Sequence, residues 1–414
     1  MRVFEFIASK SFSSFKKSFT KIIIRLAVMA TTLSLSVMIV AQSIFNGFQK
    51  EIAKKVFGFW GHIHITDIQS SQSLDPFTLN FSDSIRSAIS SYFASNGKSE
   101  AIDHIQGFII YPAIISHNVN TEGLFIKGVG QDFRWDFFSS FLTSGKPFNT
   151  QDTSFEKSIL VSEETAKNLQ IRVGSKLTIN IFLNQEILKR RVTVCGIYNT
   201  GLAEYDKKFA LVDIRMMQDV LNKQSDEVTG IEVFCRNVLD ADKVNQQLFE
   251  KVIPETWYSE TIRNKFPNIF EWLALQDITK YFILSLIVAV CIINMATTLM
   301  ILILERTHMI GVLNVLGMRS WVQRKIFLRY ATRILLTSLI AGNTIGYAIL
   351  YLQHKYQIIK LSEADYYLSH APVDLNIIPI LVLNLIFFTV VLFSLILPSW
   401  LVTFIRPVNA LKFR

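Results

Sequence analysis

Two imidazoles, His62 and His64, stand two residues apart in HIHIT, a spacing that sends both to one face of a strand and could begin a metal site. No carboxylate or third imidazole is spaced to complete a ligand set, so the pair reads as packed or surface histidines. Asp103 and His104 are adjacent, which on a strand places them on opposite faces and separates an acid from its base. The GxSxG and HExxH patterns of activated nucleophiles and zinc hydrolases are absent. A phosphate loop needs GxxxxGK followed by Ser or Thr, and KGVGQDF (127–133) lacks that spacing, reading instead as a strand that enters a turn. The expectation is a chain with no catalytic residues and no metal or cofactor of its own.

A different set of polar residues is conspicuous because of where it falls. Gln42 and Asn46 close one long apolar run, and Asn294, Thr297 and Thr298 lie inside another. In hydrocarbon each must hydrogen-bond to protein, either as glue between helices at about 1 kcal/mol apiece or as the lining of a cavity. Both readings put those faces at a helix interface. Gly342 and Gly346 form a small-xxx-small pair of the kind that lets two helices approach closely.

The elements that must position these groups are membrane spans. Half of the 414 residues are apolar, and four windows without a charge, 26–45, 281–304, 334–352 and 377–397, are near or above the roughly 20 residues that cross a hydrocarbon core. The first is longer than a signal-peptide core and is read as an anchor, although Ala41-Gln42-Ser43 faintly resembles a cleavage site. Basic residues set the orientation. Residues 1–25, 305–333 and 405–414 carry fifteen Lys and Arg against Glu5 and Glu305, so with the whole chain at +9 the remainder is net negative. Those three segments are therefore assigned to the cytoplasm. The positive balance then reflects orientation and attraction to anionic lipids, and no zinc knuckle or helix-turn-helix pattern supports nucleic-acid binding. Cys195 and Cys235 fall in the segment assigned outside, where both a disulfide and two buried thiols are compatible with the sequence.

The expected order is a cytoplasmic N-terminus (1–25), a first span (26–45), an extracytoplasmic α+β domain (46–280), a second span (281–304), a cytoplasmic helix and loop (305–333), a third span (334–352), a short outer connection (353–376), a fourth span (377–404) and a cytoplasmic tail (405–414). In the large domain, β-branched and aromatic runs predict strands over 62–66, 107–115, 123–129, 176–183 and 189–198, with Asn184-Gln185 turning a hairpin. Helices are expected over 83–93, 163–169, 215–222, 239–251 and 260–276, and residues 67–82, rich in Ser, Gln and Asp, as a loop.

The run LERTHMIGVLNVLGM (304–318) follows the second span, and on a helix it places Met309, Val312, Leu313 and Leu316 on one stripe with Gly317 as the stop. Such a face either lies in the lipid interface or docks another subunit. ERTHMIGVLNVLG (305–317) resembles the signature that follows the second span in FtsX-like, MacB-type permeases of ABC transporters, and LPSWLVTFIRPVNALKFR (397–414) is similar to that family's closing pattern. NGFQKEIAKKVFGFWGHIHI (46–65), SILVSEETAKNLQIRVGSKLTI (158–179), GLAEYDKKFALVD (201–213) and EADYYLSHAPVDLN (363–376) look like the lipoprotein-releasing LolC/LolE branch.

The resemblance implies an α-helical membrane protein with four transmembrane helices and a MacB-like periplasmic α+β domain between the first two, seated in the inner membrane. It implies a second permease subunit, identical or different, a cytoplasmic ABC ATPase dimer that holds ATP and Mg, a lipoprotein substrate and a periplasmic carrier. Glu305, Arg306, Met309, Ile310, Gly311, Leu313, Leu316 and Gly317 become the expected ATPase-coupling residues. Met38, Gln42, Phe45, Asn46, Asn294, Thr297 and Thr298 become the expected lining of the substrate cavity. MacB-like mechanotransmission in efflux and FtsX-like regulation of cell-wall hydrolases are the alternatives.

Overall fold

The computed structural model describes residues 19–70, 77–95, 101–150, 157–183, 186–362 and 366–404. The N-terminal segment to residue 18, the tail from 405, the Asn184-Gln185 turn, residues 71–76 of the expected loop, and Glu363 and Asp365 lie outside the described residues. The longer helices are α1 (Phe19–Trp60), α2 (Asp83–Ser95), α3 (Glu163–Asn168), α4 (Ile214–Val220), α5 (Ala241–Lys251), α6 (Pro267–Glu305), α7 (Thr307–Val315), α8 (Ser320–Tyr356) and α9 (Ile377–Ser394). The strands are β1 (Ile63–Asp67), β2 (Leu79–Asn80), β3 (Ile102–His117), β4 (Asn120–Val129), β5 (Leu142–Gly145), β6 (Ser158–Ser162), β7 (Lys176–Leu183), β8 (Glu186–Tyr198), β9 (Phe209–Asp213), β10 (Glu227–Val228), β11 (Gly230–Cys235) and β12 (Trp257–Thr261). The chain divides into two compact units, one of Lys50–Glu271 with Leu361–Ser369, the other of the remainder.

The sheet unit is built on the strand order β12-β1-β11-β3-β4-β9-β6-β8-β5, with β7 paired to both β3 and β8. Most neighbours are antiparallel, while β4 with β9 and β6 with β8 run parallel, so this is an α+β sheet. Alternation decides the faces. Ile63, Ile65, Ile105, Ile231 and Val233 pack with Phe93 of α2 and Leu248 of α5. Ile109, Ile126, Ile179 and Val212 pack with Ala166 of α3 and Met217 of α4. The residues between them, including His64, Gln106, Phe108, Lys127 and Glu232, are buried as well. Both faces of the central strands are therefore covered, which is why β9 and β11 are buried at every position.

The helical stretch expected over 260–276 starts later than the sequence suggested. Glu260 and Thr261 end β12, paired with His64 and Ile63, and the Thr261 side chain accepts from the Asn264 amide to cap the helical turn that begins at Ile262.

In the other unit, α1, α6, α8 and the helix that ends the described chain are long and apolar enough to cross a membrane. The expected windows lie within them: α1 and α8 run on past both ends of theirs, α6 adds turns ahead of 281 and the last helix adds turns after 397. The small residues of α8 fix its approach to α1. A Cβ on Gly342 would stand 3.0 Å from Leu35 Cβ and 3.1 Å from the Thr32 carbonyl, and one on Gly346 would meet Ile39 at 3.2 Å. Ser338, one turn earlier, donates to the Val28 carbonyl at 3.3 Å. Asn343 of α8 and Asn384 of α9 exchange two hydrogen bonds, 2.8 and 3.1 Å, so each amide answers the other in a medium without water. Near the other end of the spans, Ser43 donates to the Asp374 carbonyl and the Asp374 amide returns a bond of 3.1 Å to Ser43.

Candidate functional site

The element after the second span is α7, and its geometry decides what it can offer a partner. Ile310 and Gly311 are buried, while Met309 and Leu313 pack against the helical core beside Ile326 and Phe327. Val312, Val315 and Leu316 face outward at 39%, 66% and 75% exposure, and Glu305 is exposed as well. The single stripe drawn from sequence thus separates. Ile310 and Leu313, three apart, face the neighbouring helices, and Val312, Val315 and Leu316 form the free face.

The end of the helix is locked. Gly317 has φ of +79°, its amide donates to Asn314 at 3.0 Å and the Met318 amide reaches back to Leu313 at 3.0 Å, a Schellman closure that a residue with a Cβ would strain. Buried Gln323 of α8 donates to the Asn314 side chain at 2.5 Å and to the Met318 carbonyl at 3.0 Å, tying the turn to the third span.

The expected cavity residues are placed differently from one another. Met38 and Thr298 are buried inside the helical unit, so they support its packing. Gln42, Phe45, Asn46 and Asn294 are half-buried, and Thr297 is exposed. Gln42 donates to Asn46 at 3.4 Å one turn away. Thr297 and Thr298 donate to the Ile293 and Asn294 carbonyls at 2.8 Å, four residues back. Their hydroxyls are satisfied within α6 and need no partner helix. Large apolar side chains are exposed on both helices: Met29, Leu33 and Val37 on α1, and Leu286, Val290 and Ile293 on α6.

The feature that sequence reasoning missed lies in the sheet unit. Lys127 and Glu232 are fully buried, 2.6 Å apart, and Lys127 also donates to the Phe59 carbonyl at 2.7 Å. Phe59 is in the last turn of α1, where carbonyls carry the negative end of the helix dipole, so the ammonium is attracted twice. The rings of Phe59, Trp60 and Phe108 lie 4.8, 4.7 and 5.5 Å from that nitrogen. Gln106 donates to the second Glu232 oxygen at 2.6 Å, and His64 Nε2 is 3.4 Å from the first. Register explains the grouping, because His64, Glu232 and Gln106 are cross-strand partners on β1, β11 and β3.

Burial alone would raise the Glu232 carboxyl, but Lys127 and then His64 bring it down to about 2. Burial lowers the Lys127 ammonium, with Glu232 opposing. The contact of 2.6 Å and the Phe59 carbonyl favour the ionised pair. The arrangement is an anchor, holding the end of α1 to the sheet.

His62 and His64 are both buried. The His62 Nδ1 accepts from the Cys235 amide at 2.9 Å, and burial lowers each ring to about 4. Cys195 and Cys235 are free, so the two thiols left open by sequence do not pair. The outer connection joins the sheet unit over Leu361–Ser369. Its Tyr367 carbonyl accepts from Lys55 at 2.9 Å and sits where a Cβ on Gly201, φ +71°, would be 2.9 Å away. A cavity of about 490 Å³ opens in the same unit between Trp60, Phe108, Phe125, Phe209 and Phe266.

Four helices long and apolar enough to cross a membrane, joined to a large α+β domain and followed after the second by an exposed apolar turn, define a multi-pass membrane protein. The MacB-like periplasmic core domain family matches residues 26–250, more than half of the chain, and the FtsX-like permease C-terminal family matches 281–407. The chain belongs to the FtsX-like, MacB-type permeases of ABC transporters, with a periplasmic domain between its first two spans.

Among curated relatives, the lipoprotein-releasing system transmembrane protein LolC of Xylella fastidiosa is 22% identical over 415 residues, 96% of this chain and 95% of that protein. LolE of Haemophilus influenzae is 20% identical over 337 residues, 80% and 78% of the two chains. Among solved structures, the periplasmic region of MacB from Actinobacillus actinomycetemcomitans overlaps 50% of this chain and 91% of its own, at 11% identity and a TM-score of 0.34.

Proposed function

We propose that this permease extracts lipid-modified proteins from the inner membrane and passes them toward a periplasmic carrier, driven by a separate cytoplasmic ATPase dimer that binds ATP and Mg. Nearly full-length similarity to proteins named for lipoprotein release supports the substrate class. The observation that carries the mechanism is the outward face of Val312, Val315 and Leu316 on a turn fixed by Gly317 and Gln323. An apolar surface held rigidly at a helix end can pass a partner's displacement into α6 and α8 without being absorbed by a flexible loop. In this reading both termini are cytoplasmic, a second permease subunit meets the open faces of α1 and α6, and hydrolysis is performed by the partner.

Leu316→Asp places a charge on that face without touching the core, and the expected result is loss of ATPase co-purification with unchanged thermal stability. Retention of the ATPase would remove the coupling role. Photo-crosslinkers at Gln42 and Asn294 are expected to capture lipoprotein. Capture of a cell-wall hydrolase on the outer domain in its place would establish the regulatory alternative.

A further inference from the structure

The start of α8 carries a sequence of side chains with a use that the coupling turn does not explain. Trp321, Lys325 and Arg329 recur every four residues, and Leu328 lies beside them. Together with Leu392, Phe393 and Ile396 from the end of the fourth span, Lys325, Leu328 and Arg329 line a groove of about 440 Å³. Its walls are apolar, Phe393 being 66% exposed.

Two tryptophans mark the level of this groove. Lys325 Nζ is 5.5 Å from the Trp321 ring, and the Arg324 guanidinium is 5.7 Å from the Trp400 ring, with both indoles more than half exposed. Exposed tryptophans beside basic residues at helix ends are the pattern of a membrane–water interface. A second groove of about 620 Å³, between α1 and α8, repeats the composition with Arg25 and Arg333 above Val28, Met29 and Ile334.

We propose that the groove between α8 and the fourth span is a binding site for an anionic phospholipid, with its phosphate held by Lys325 and Arg329 and one acyl chain lying along Leu328, Leu392 and Phe393. Charge complementarity selects the headgroup. The exposed apolar walls at Phe393 and Ile396 select a lipid over a soluble anion, which would gain nothing from them. The proposal rests on the helical unit alone and stands or falls apart from the choice of transported substrate.

The test is lipid binding by the full chain in detergent, measured by native mass spectrometry with added phosphatidylglycerol, phosphatidylcholine or inorganic phosphate. Phosphatidylglycerol is expected to bind selectively over phosphatidylcholine. Lys325→Gln with Arg329→Gln should reduce its affinity roughly 30-fold. Lys325→Arg with Arg329→Lys should keep the selectivity, which separates loss of charge from loss of fold. Phe393→Ala should weaken both lipids. Equal binding of the two lipids, selectivity unaltered by the double glutamine variant, or displacement of lipid by equimolar phosphate would each overturn the assignment.

Discussion

Replacing Lys127 with methionine keeps most of the side-chain volume and removes the charge. Glu232, with no exposed surface, would retain only the Gln106 donor and the His64 ring, and the Phe59 carbonyl would lose its ammonium. Breaking one side of a buried ion pair costs about 3–5 kcal/mol, because the surviving charge stays desolvated. For a domain of this size about 2–4 °C accompany each kcal/mol, so the melting point of the sheet unit should fall by roughly 10 °C. Tryptophan fluorescence reports the loss directly, since Trp60 packs against the same ammonium. Lys127→Met combined with Glu232→Met removes both charges and should recover most of the loss, with a coupling energy of several kcal/mol in the double-mutant cycle. A single variant that melts within a degree or two of the parent, or a double variant less stable than the single, would refute the idea that this pair anchors α1.

The sheet unit should also weaken in acid. His62 and His64 titrate near 4 when folded against 6.5 when unfolded, so between those values the unfolded chain takes up protons that the folded chain refuses. Stability is therefore fully present above about pH 6.5 and falls as the pH drops toward 4, by about 3 kcal/mol for each ring. Glu232, near 2 folded against 4.5 unfolded, extends the loss below pH 4.5. Melts at several pH values check this, and a flat profile from 7 to 4 contradicts it. Within the spans, Gly342→Val forces side-chain atoms into Leu35 and the Thr32 carbonyl and should cost about 1–3 kcal/mol. Detergent melts measure the loss, and Leu35→Ala in the same chain should relieve part of it.

Much of this architecture is legible in the sequence because hydropathy and local alternation record it. The four spans, β3, β4, β7 and β8, and the helices after Asp83 and Glu163 all carry strong local signals. Strand order does not, since β11 between β1 and β3 joins residues more than a hundred positions apart. Lys127 sits in FIKGV and Glu232 in GIEVFC, where alternation suggests an outward polar face; what buries them is Phe59 and Trp60, arriving from the end of a distant helix. A carboxylate between Ile231 and Val233 was the available signal. In α7 residues 309–313 are apolar without a break, so periodicity offers several stripes and only packing into the helical core that contains Ile326 and Phe327 selects Ile310 and Leu313 as the inner one. Val315 was missed for that reason.

The loop closed by the Leu361 amide on the Ser369 carbonyl has a practical bearing on experiments with this protein. A short segment between two spans is where an epitope or protease site would ordinarily be inserted to map topology. Here the insertion would pull Tyr367 off Lys55 and crowd Gly201, so a reporter in that position would read a disturbed molecule. Exposed hairpin residues such as Val119, at 94% exposure, offer a safer graft.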